Sequence, residues 1–280
     1  MKILDCTLRD GGYYNNWDFD SDLVETYLNA MRQASIDVIE IGFRSPPKQS
    51  FVGPFVYSLD DYLETLPLPK NILIGVMINA KEYLNSPEDP VELINKLFQS
   101  AEKSPVGLVR IAINFEQALE GEVLAGRLKE LGYRVGLNMM QSHGKEQYQY
   151  QQTAKNIAEW GSVDVLYFAD SLGNMDPVQI RSICKALSST WKGSLGIHTH
   201  NNKGMALINS LTAVEEGITW CDSTIMGMGR GAGNVTTEAL LMEFEHLEIH
   251  RGKSQLLIPC LEMFHELKEK FQWGSNHLYH

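Results

Sequence analysis

The chain has 280 residues, 44% of them hydrophobic, and 35 acidic against 24 basic side chains give a formal net charge of -11. That length can bury a large core, the acidic balance argues against nucleic acid or an anionic membrane surface as partner, and no uncharged apolar run of about 18 residues exists to span a bilayer. The first residues carry no basic leader followed by an apolar block. Cys6, Cys184, Cys221 and Cys260 stand at scattered spacings without a Cys-x-x-Cys, so they predict reduced core thiols in a cytoplasmic protein rather than a disulfide framework.

Strand-like runs recur at regular intervals, near 3–6, 38–41, 72–78, 107–113, 134–138, 163–168, 195–199 and 221–225. Between them lie helical stripes. Leu23, Tyr27, Ala30, Met31 and Ala34 share one face of the first, behind Asp20, Ser21 or Asp22 as cap. Leu93, Ile94, Leu97 and Ala101 repeat the pattern, as do Ala206, Ile208, Leu211 and Val214. Residues 45–60, rich in Pro, Phe and Gly, read either as a lid over the end of the second strand or as a surface loop. From 256 the spacing of Leu257, Leu261, Phe264, Leu267 and Phe271 predicts a closing amphipathic helix. The aromatic end at 272–280 is unlike a frayed tail and predicts that the native protein continues beyond it. Eight strand–helix alternations in one domain-sized chain predict an α/β fold, a closed (β/α)8 TIM barrel spanning 1–280 as one domain. A doubly wound open sheet is disfavoured, because only closure brings the polar residues of strands 1, 7 and 8 together.

Those polar residues carry the chemistry. His198-Thr199-His200 ends the apolar run 194–197, and side chains at i and i+2 of a strand point the same way, so the two imidazoles can grip one divalent cation. Asp10 stands at what reads as another strand end, in Asp5-Cys6-Thr7-Leu8-Arg9-Asp10-Gly11-Gly12, and Asn234 closes the glycine-rich run from Gly227. A carboxylate, two imidazoles and an amide at barrel strand ends describe a mixed oxygen and nitrogen site. With no thiolate in the set, Mn²⁺ is the first choice, with Mg²⁺, Co²⁺ and Zn²⁺ also suited.

Arg9, next to that cation, is placed to stabilise an oxyanion such as an enolate; the duller alternative is a salt bridge across the barrel mouth. Ser171 can hold a substrate carboxylate or cap a helix. Glu40, flanked by apolar residues in strand 2, predicts burial beside Arg9, and Arg110 and Asn138, also polar within strands, are candidates to line the same cavity. Tyr13 and Tyr14 can serve as acid, base or gate, or simply pack. The glycines at 227, 229, 231 and 233 either bring backbone N–H groups to an anion or form a tight loop. None of the eight strand readings contains a lysine, which disfavours an imine mechanism.

Asp5-x-Thr7-Leu8-Arg9-Asp10-Gly11, His198-x-His200 with Asn201, and Gly229-x-Gly231-Ala232-Gly233-Asn234 resemble the metal-dependent (DRE-TIM type) superfamily of pyruvate aldolases and acyltransferases. That group includes 4-hydroxy-2-oxovalerate aldolase, hydroxymethylglutaryl-CoA lyase and isopropylmalate synthase. Asn138-Met139-Met140-x-Ser142-His143, Ala169-Asp170-Ser171 and Ala213-Val214-Glu215-Glu216-Gly217 are most similar to the 4-hydroxy-2-oxoacid aldolases. The resemblance implies that Asp10, His198 and His200 bind the metal, that Arg9 stabilises a pyruvate enolate and that Ser171 contacts pyruvate. Asn234 matches an asparagine that is a ligand in the lyase branch and stands either there or behind the ligands here. Two departures stand out. Tyr13 occupies the position of the aldolases' histidine base, leaving Tyr13 or a metal-bound water for the proton transfer. The C-terminal extension that contacts an aldehyde dehydrogenase is missing, so no such partner is expected, and Tyr279 is the candidate for a tyrosine of that region. The chain also resembles aldolase-domain proteins of surface-polysaccharide synthesis, which makes a sugar-derived aldehyde a candidate substrate.

The expectation is a divalent-metal-dependent aldolase joining or splitting a 2-oxoacid and an aldehyde through a metal-bound enolate, in a homo-oligomer. A Claisen-type acyltransferase using an acyl-CoA, or a non-catalytic ligand-binding member, is the alternative.

Overall fold

The computed structural model describes residues 1–275. Eight parallel strands close into a barrel in sequence order: β1 Lys2–Asp5, β2 Val38–Phe43, β3 Leu73–Asn79, β4 Leu108–Asn114, β5 Arg134–Met140, β6 Val165–Asp170, β7 Ser194–Thr199 and β8 Trp220–Ser223. β8 pairs back onto β1 with Leu4 opposite Asp222 and Asp5 opposite Ser223. Helices cover the outside, so both strand faces are buried, and this is why the strands read as continuous apolar runs rather than alternating ones.

The barrel interior is layered as side chains from alternate strands demand. Val38, Leu108, Val165 and Trp220 from the even strands form an apolar layer toward the strand N-termini. Two residues further along the same strands come Glu40, Arg110, Tyr167 and Asp222, all buried. The second layer is therefore polar. The odd strands leave room for these bulky side chains: a Cβ on Gly196 in β7 would lie 2.3 Å from the Tyr167 ring, which requires glycine mid-strand.

Several local expectations need correction. Asp10 does not end a strand: β1 stops at Asp5, and Thr7–Asp10 make one turn of α-helix, followed by the 3-10 turn Gly11–Tyr14. β1 begins at Lys2, so one strand does contain a lysine, but its exposed side chain lies 3.9 Å from Asp37 at the end of the barrel away from Asp10. The helix Pro90–Leu97 ends before Ala101. On the helix Ala206–Glu215, Ile208 is exposed while Asn209 and Ser210 are buried, because Asn209 Nδ2 donates to Met175 O and Ser210 Oγ contacts Thr199 Oγ1 at 3.0 Å. Much of 45–60 is held down: Arg44 donates to Ser58 O and Asp60, and Phe55 is fully buried. Asp20 is the cap of the helix Ser21–Gln33, accepting from Asp22 N and Leu23 N. The closing helix is Ile258–Phe271, with Leu257, Cys260 and Phe264 inward. No described helix is long and apolar enough to cross a membrane.

Candidate active site

The one-turn helix after β1 explains how two consecutive residues converge. Thr7 N donates to Asp5 Oδ1, and Thr7 Oγ1 accepts from Ile225 N, so the turn is tied to its own strand and to the segment after β8. Arg9 and Asp10 then face the barrel mouth together. Arg9 Nη1 donates to Asp10 Oδ1 at 2.8 Å and Arg9 Nε to Glu40 Oε1 at 2.7 Å.

From β7, His198 and His200 project to the same side with their Nε2 atoms 3.3 Å apart, and His198 Nε2 lies 3.9 Å from Asp10 Oδ2. His200, just past the end of β7, meets the loop that leads out of β8: it forms an isolated antiparallel bridge with Asn234, whose Nδ2 donates to Asp10 Oδ2. The glycine-rich run makes this approach possible. A Cβ at Gly229 would lie 2.5 Å from Asn234 Nδ2 and 3.0 Å from Asp10 Oδ2. Thr236 caps the helix Thr237–His246, accepting from Ala239 N, so the run acts as a tight loop.

One oxygen of Asp10 and one nitrogen each of His198 and His200 lie within 4.8 Å of one another, all three residues buried. The protonation of Asp10 and His200 suits a cation. Burial pushes Asp10 up, but Arg9, the two histidines and Asn234 outweigh it and hold the carboxyl well below its ordinary range. Burial, then His198, pushes His200 down to about 4, leaving a neutral imidazole. Asn234 Oδ1 is buried without a hydrogen-bond partner, an orphan that a cation would satisfy. The donor set therefore fits a divalent metal.

Behind these groups runs a chain of buried ion pairs. Arg110 Nε donates to Glu40 Oε2 at 2.6 Å and Nη1 to Asp222 Oδ2 at 2.7 Å, and Asp222 Oδ2 meets His198 Nδ1 at 2.9 Å. Glu40 and Arg110, expected to line the cavity, instead form its charged layer below. Asp222 escaped the sequence reading, although the signal that marked Glu40, a charge within an apolar strand, was present in Trp220-Cys221-Asp222.

The cavity above this layer measures about 170 Å³ and is lined by Arg9, Asp10, Tyr13, Asn138, Ser171, His198, His200 and Arg230, with Phe43, Met77 and Met140 among the apolar walls. Arg9 Nη2 and Asn138 Oδ1 are buried without partners. Ser171 is no helix cap; Oγ accepts from Gln141 N at 2.9 Å, while Asp170 takes Asn174 N and Met175 N and so shapes the loop. Tyr13 packs edge-on against Trp17 at 4.6 Å, and burial raises its phenol above the ordinary value. Tyr14 is turned to another task, donating to Gly229 O. Tyr279 lies outside the described residues.

With that geometry in hand, the family model described as HMGL-like matches residues 110–258. A 4-hydroxy-2-oxovalerate aldolase of Pelotomaculum thermopropionicum is 32% identical over 246 residues, 86% of this chain and 69% of that protein. The N-terminal domain of a candidate aldolase from Bacteroides vulgatus is 35% identical and superimposes with a TM-score of 0.89, covering 100% of this chain and 91% of that one. The HMG-CoA lyase of Bacillus subtilis shares the fold at 16% identity and a TM-score of 0.77, covering 99% of this chain and 96% of that one.

Proposed function

This chain belongs to the HMGL-like family, and from that premise we propose that it is a divalent-metal-dependent aldolase. Its reaction is the cleavage or formation of a 4-hydroxy-2-oxoacid, with pyruvate or a related 2-oxoacid as one partner and an aldehyde as the other. The observation that carries this reading is the meeting of Asp10, His198 and His200 with the unpartnered Arg9 Nη2 around one small cavity.

Asp10, His198 and His200 would hold the metal, with Asn234 Oδ1 as a fourth donor; Mn²⁺ is the proposed ion, and Mg²⁺, Co²⁺ or Zn²⁺ suit the same donors. A bound cation supplies Lewis acidity that polarises the 2-oxo group. Arg9 neutralises the negative charge that grows on the 2-oxo oxygen, through the Nη2 that no protein group uses. Ser171 and Asn138 orient the oxoacid carboxylate. In cleavage the C4 hydroxyl loses its proton, the C3–C4 bond breaks, the aldehyde departs and the bond's electron pair passes into the enolate. A proton delivered to C3 then gives pyruvate. Tyr13 is the proposed carrier of the hydroxyl proton. Its raised phenol fits the condensation direction, where a neutral tyrosine donates to the new alkoxide. The barrel is read as one catalytic domain, and four buried free cysteines support a reducing, cytoplasmic setting.

Deuterium exchange at the pyruvate methyl group, followed by NMR with Mn²⁺, Mg²⁺ or chelator, tests this without knowledge of the aldehyde. Metal-dependent exchange is expected. Absence of exchange together with thiol release from acetyl-CoA and a 2-oxoacid would replace the aldolase by the Claisen acyltransferase.

A further inference from the structure

Outside the small cavity lies a second chamber of about 400 Å³ that shares Ser171, His200 and Arg230 with it and opens the site toward solvent. Its remaining polar walls are the amides Asn114, Gln141 and Asn202, and no acidic side chain lines it. This is unusual in a chain with eleven more acidic than basic groups, as its net charge of -11 records.

Arg230 stands where the chambers meet. Its guanidinium lies over the Tyr13 ring, 4.6 Å from the centroid, and it makes no hydrogen bond or ion pair with any described residue. The backbone beneath it is fixed: Gly233 N donates to Arg230 O, Asn234 N to Gly227 O, and Tyr14 Oη to Gly229 O. Stacking occupies the guanidinium's face and leaves its N–H edge free, the arrangement in which arginine reads a carboxylate or phosphate. The nearby Asp10 is already engaged by Arg9 and Asn234.

We propose that Arg230 selects the aldehyde, and that the aldehyde carries an anionic group seated in the outer chamber on Arg230 and the surrounding amides. This rests on the aldolase reading of the inner site and deepens it. Two anions are then separated by function: the oxoacid carboxylate in the inner cavity, and the carboxylate or phosphate of the aldehyde in the outer one. Arg230 is exposed at this mouth, so the contact is made at the solvent edge of the site, where it orients that partner against the inner cavity.

The test pairs aldehydes with and without a charged group, in condensation with pyruvate: succinic semialdehyde against butanal, and glyceraldehyde 3-phosphate against glyceraldehyde. The parent protein is expected to favour at least one anionic aldehyde in kcat/KM by about threefold or more, the scale of a contact with an exposed charge. The first pair reports a carboxylate and the second a phosphate. In Arg230→Gln the ratio of anionic to neutral kcat/KM should fall to about one, a ratio that any loss shared by both members through the Tyr13 contact leaves unmoved. Metal-dependent pyruvate exchange by the parent without any charge preference would overturn this proposal alone, as would a preference that survives Arg230→Gln. Loss of pyruvate exchange in Arg230→Gln matching its loss of condensation would reassign Arg230 to the oxoacid. Absence of exchange in the parent would overturn the aldolase reading itself.

Discussion

Six buried ionisable side chains of this barrel form a nearly closed ring: Asp10 to Arg9, Arg9 to Glu40, Glu40 to Arg110, Arg110 to Asp222, Asp222 to His198, and His198 back to within 3.9 Å of Asp10. A ring is the economical way to bury so many ions, since removing one partner from a buried pair costs about 3–5 kcal/mol while leaving the other stranded. Its consequence for the metal site falls on His198. With Nδ1–H donating to Asp222, the Nε2 lone pair is left facing His200 and Asp10. In the proposed site Asp222 thus orients His198 from behind. Asp222→Asn should weaken divalent-metal affinity by about 10–100-fold, the usual effect of losing such a support, as read by titration against a competing chelator. Far-UV circular dichroism checks that the barrel persists. Unchanged affinity would reduce Asp222 to a partner of Arg110. The ring also marks a limit of sequence reading. Glu40 is legible as a charge in an apolar strand, but its pairing with Arg110, and that of Arg110 with Asp222, are fixed by barrel register across 70 and 112 positions of chain, which no local pattern encodes.

At the scale of elements, the strands were legible because parallel strands buried on both faces leave unbroken apolar runs, and all eight expectations overlap observed strands. What escaped was short or polar. Thr7–Asp10 is a single helical turn with too few residues to show a period, and Ile208 misled because the helix Ala206–Glu215 turns Asn209 and Ser210 inward to meet buried partners. The turn after β1 and the glycine loop after β8 interlock, and Gly229 is the contact point. Gly229→Ala would force its new Cβ against Asn234 Nδ2 and Asp10 Oδ2, at 2.5 and 3.0 Å. Neither neighbour has slack, because Asp10 is held by Arg9 and Asn234 is bridged to His200. The expected result is a loss of about 1–3 kcal/mol in stability from overpacking, together with weaker metal binding. Chemical denaturation and metal titration measure the two effects. Full metal affinity in that variant would mean that the loop yields while the ligands stay in place.

Across the whole molecule, the proposed ligands come from three places far apart in sequence: the turn after β1, the end of β7 and the loop after β8. The motifs were visible one by one, but their meeting depends on β8 closing onto β1, so the site was legible only as far as the barrel itself was. A metal held by all three groups would staple that seam, and the staple has a thermodynamic signature. A ligand that binds only the folded state adds RT ln(1 + [L]/Kd), about 2.7 kcal/mol at a free concentration 100 times Kd. With an unfolding entropy of about 2.1 cal/mol/K per residue, a chain of 280 residues should then gain about 5 °C in Tm. Each further decade of free metal adds about 1.4 kcal/mol, so Tm should climb steadily with the logarithm of concentration, and chelator should reverse the rise. His200→Ala removes one imidazole at the seam and should abolish most of the metal-dependent gain while the barrel still unfolds cooperatively. A calorimetric scan of both proteins with and without Mn²⁺ checks this. Equal shifts in the two would place the stabilising metal elsewhere on the surface, and no shift in either would deny the three groups a common ion.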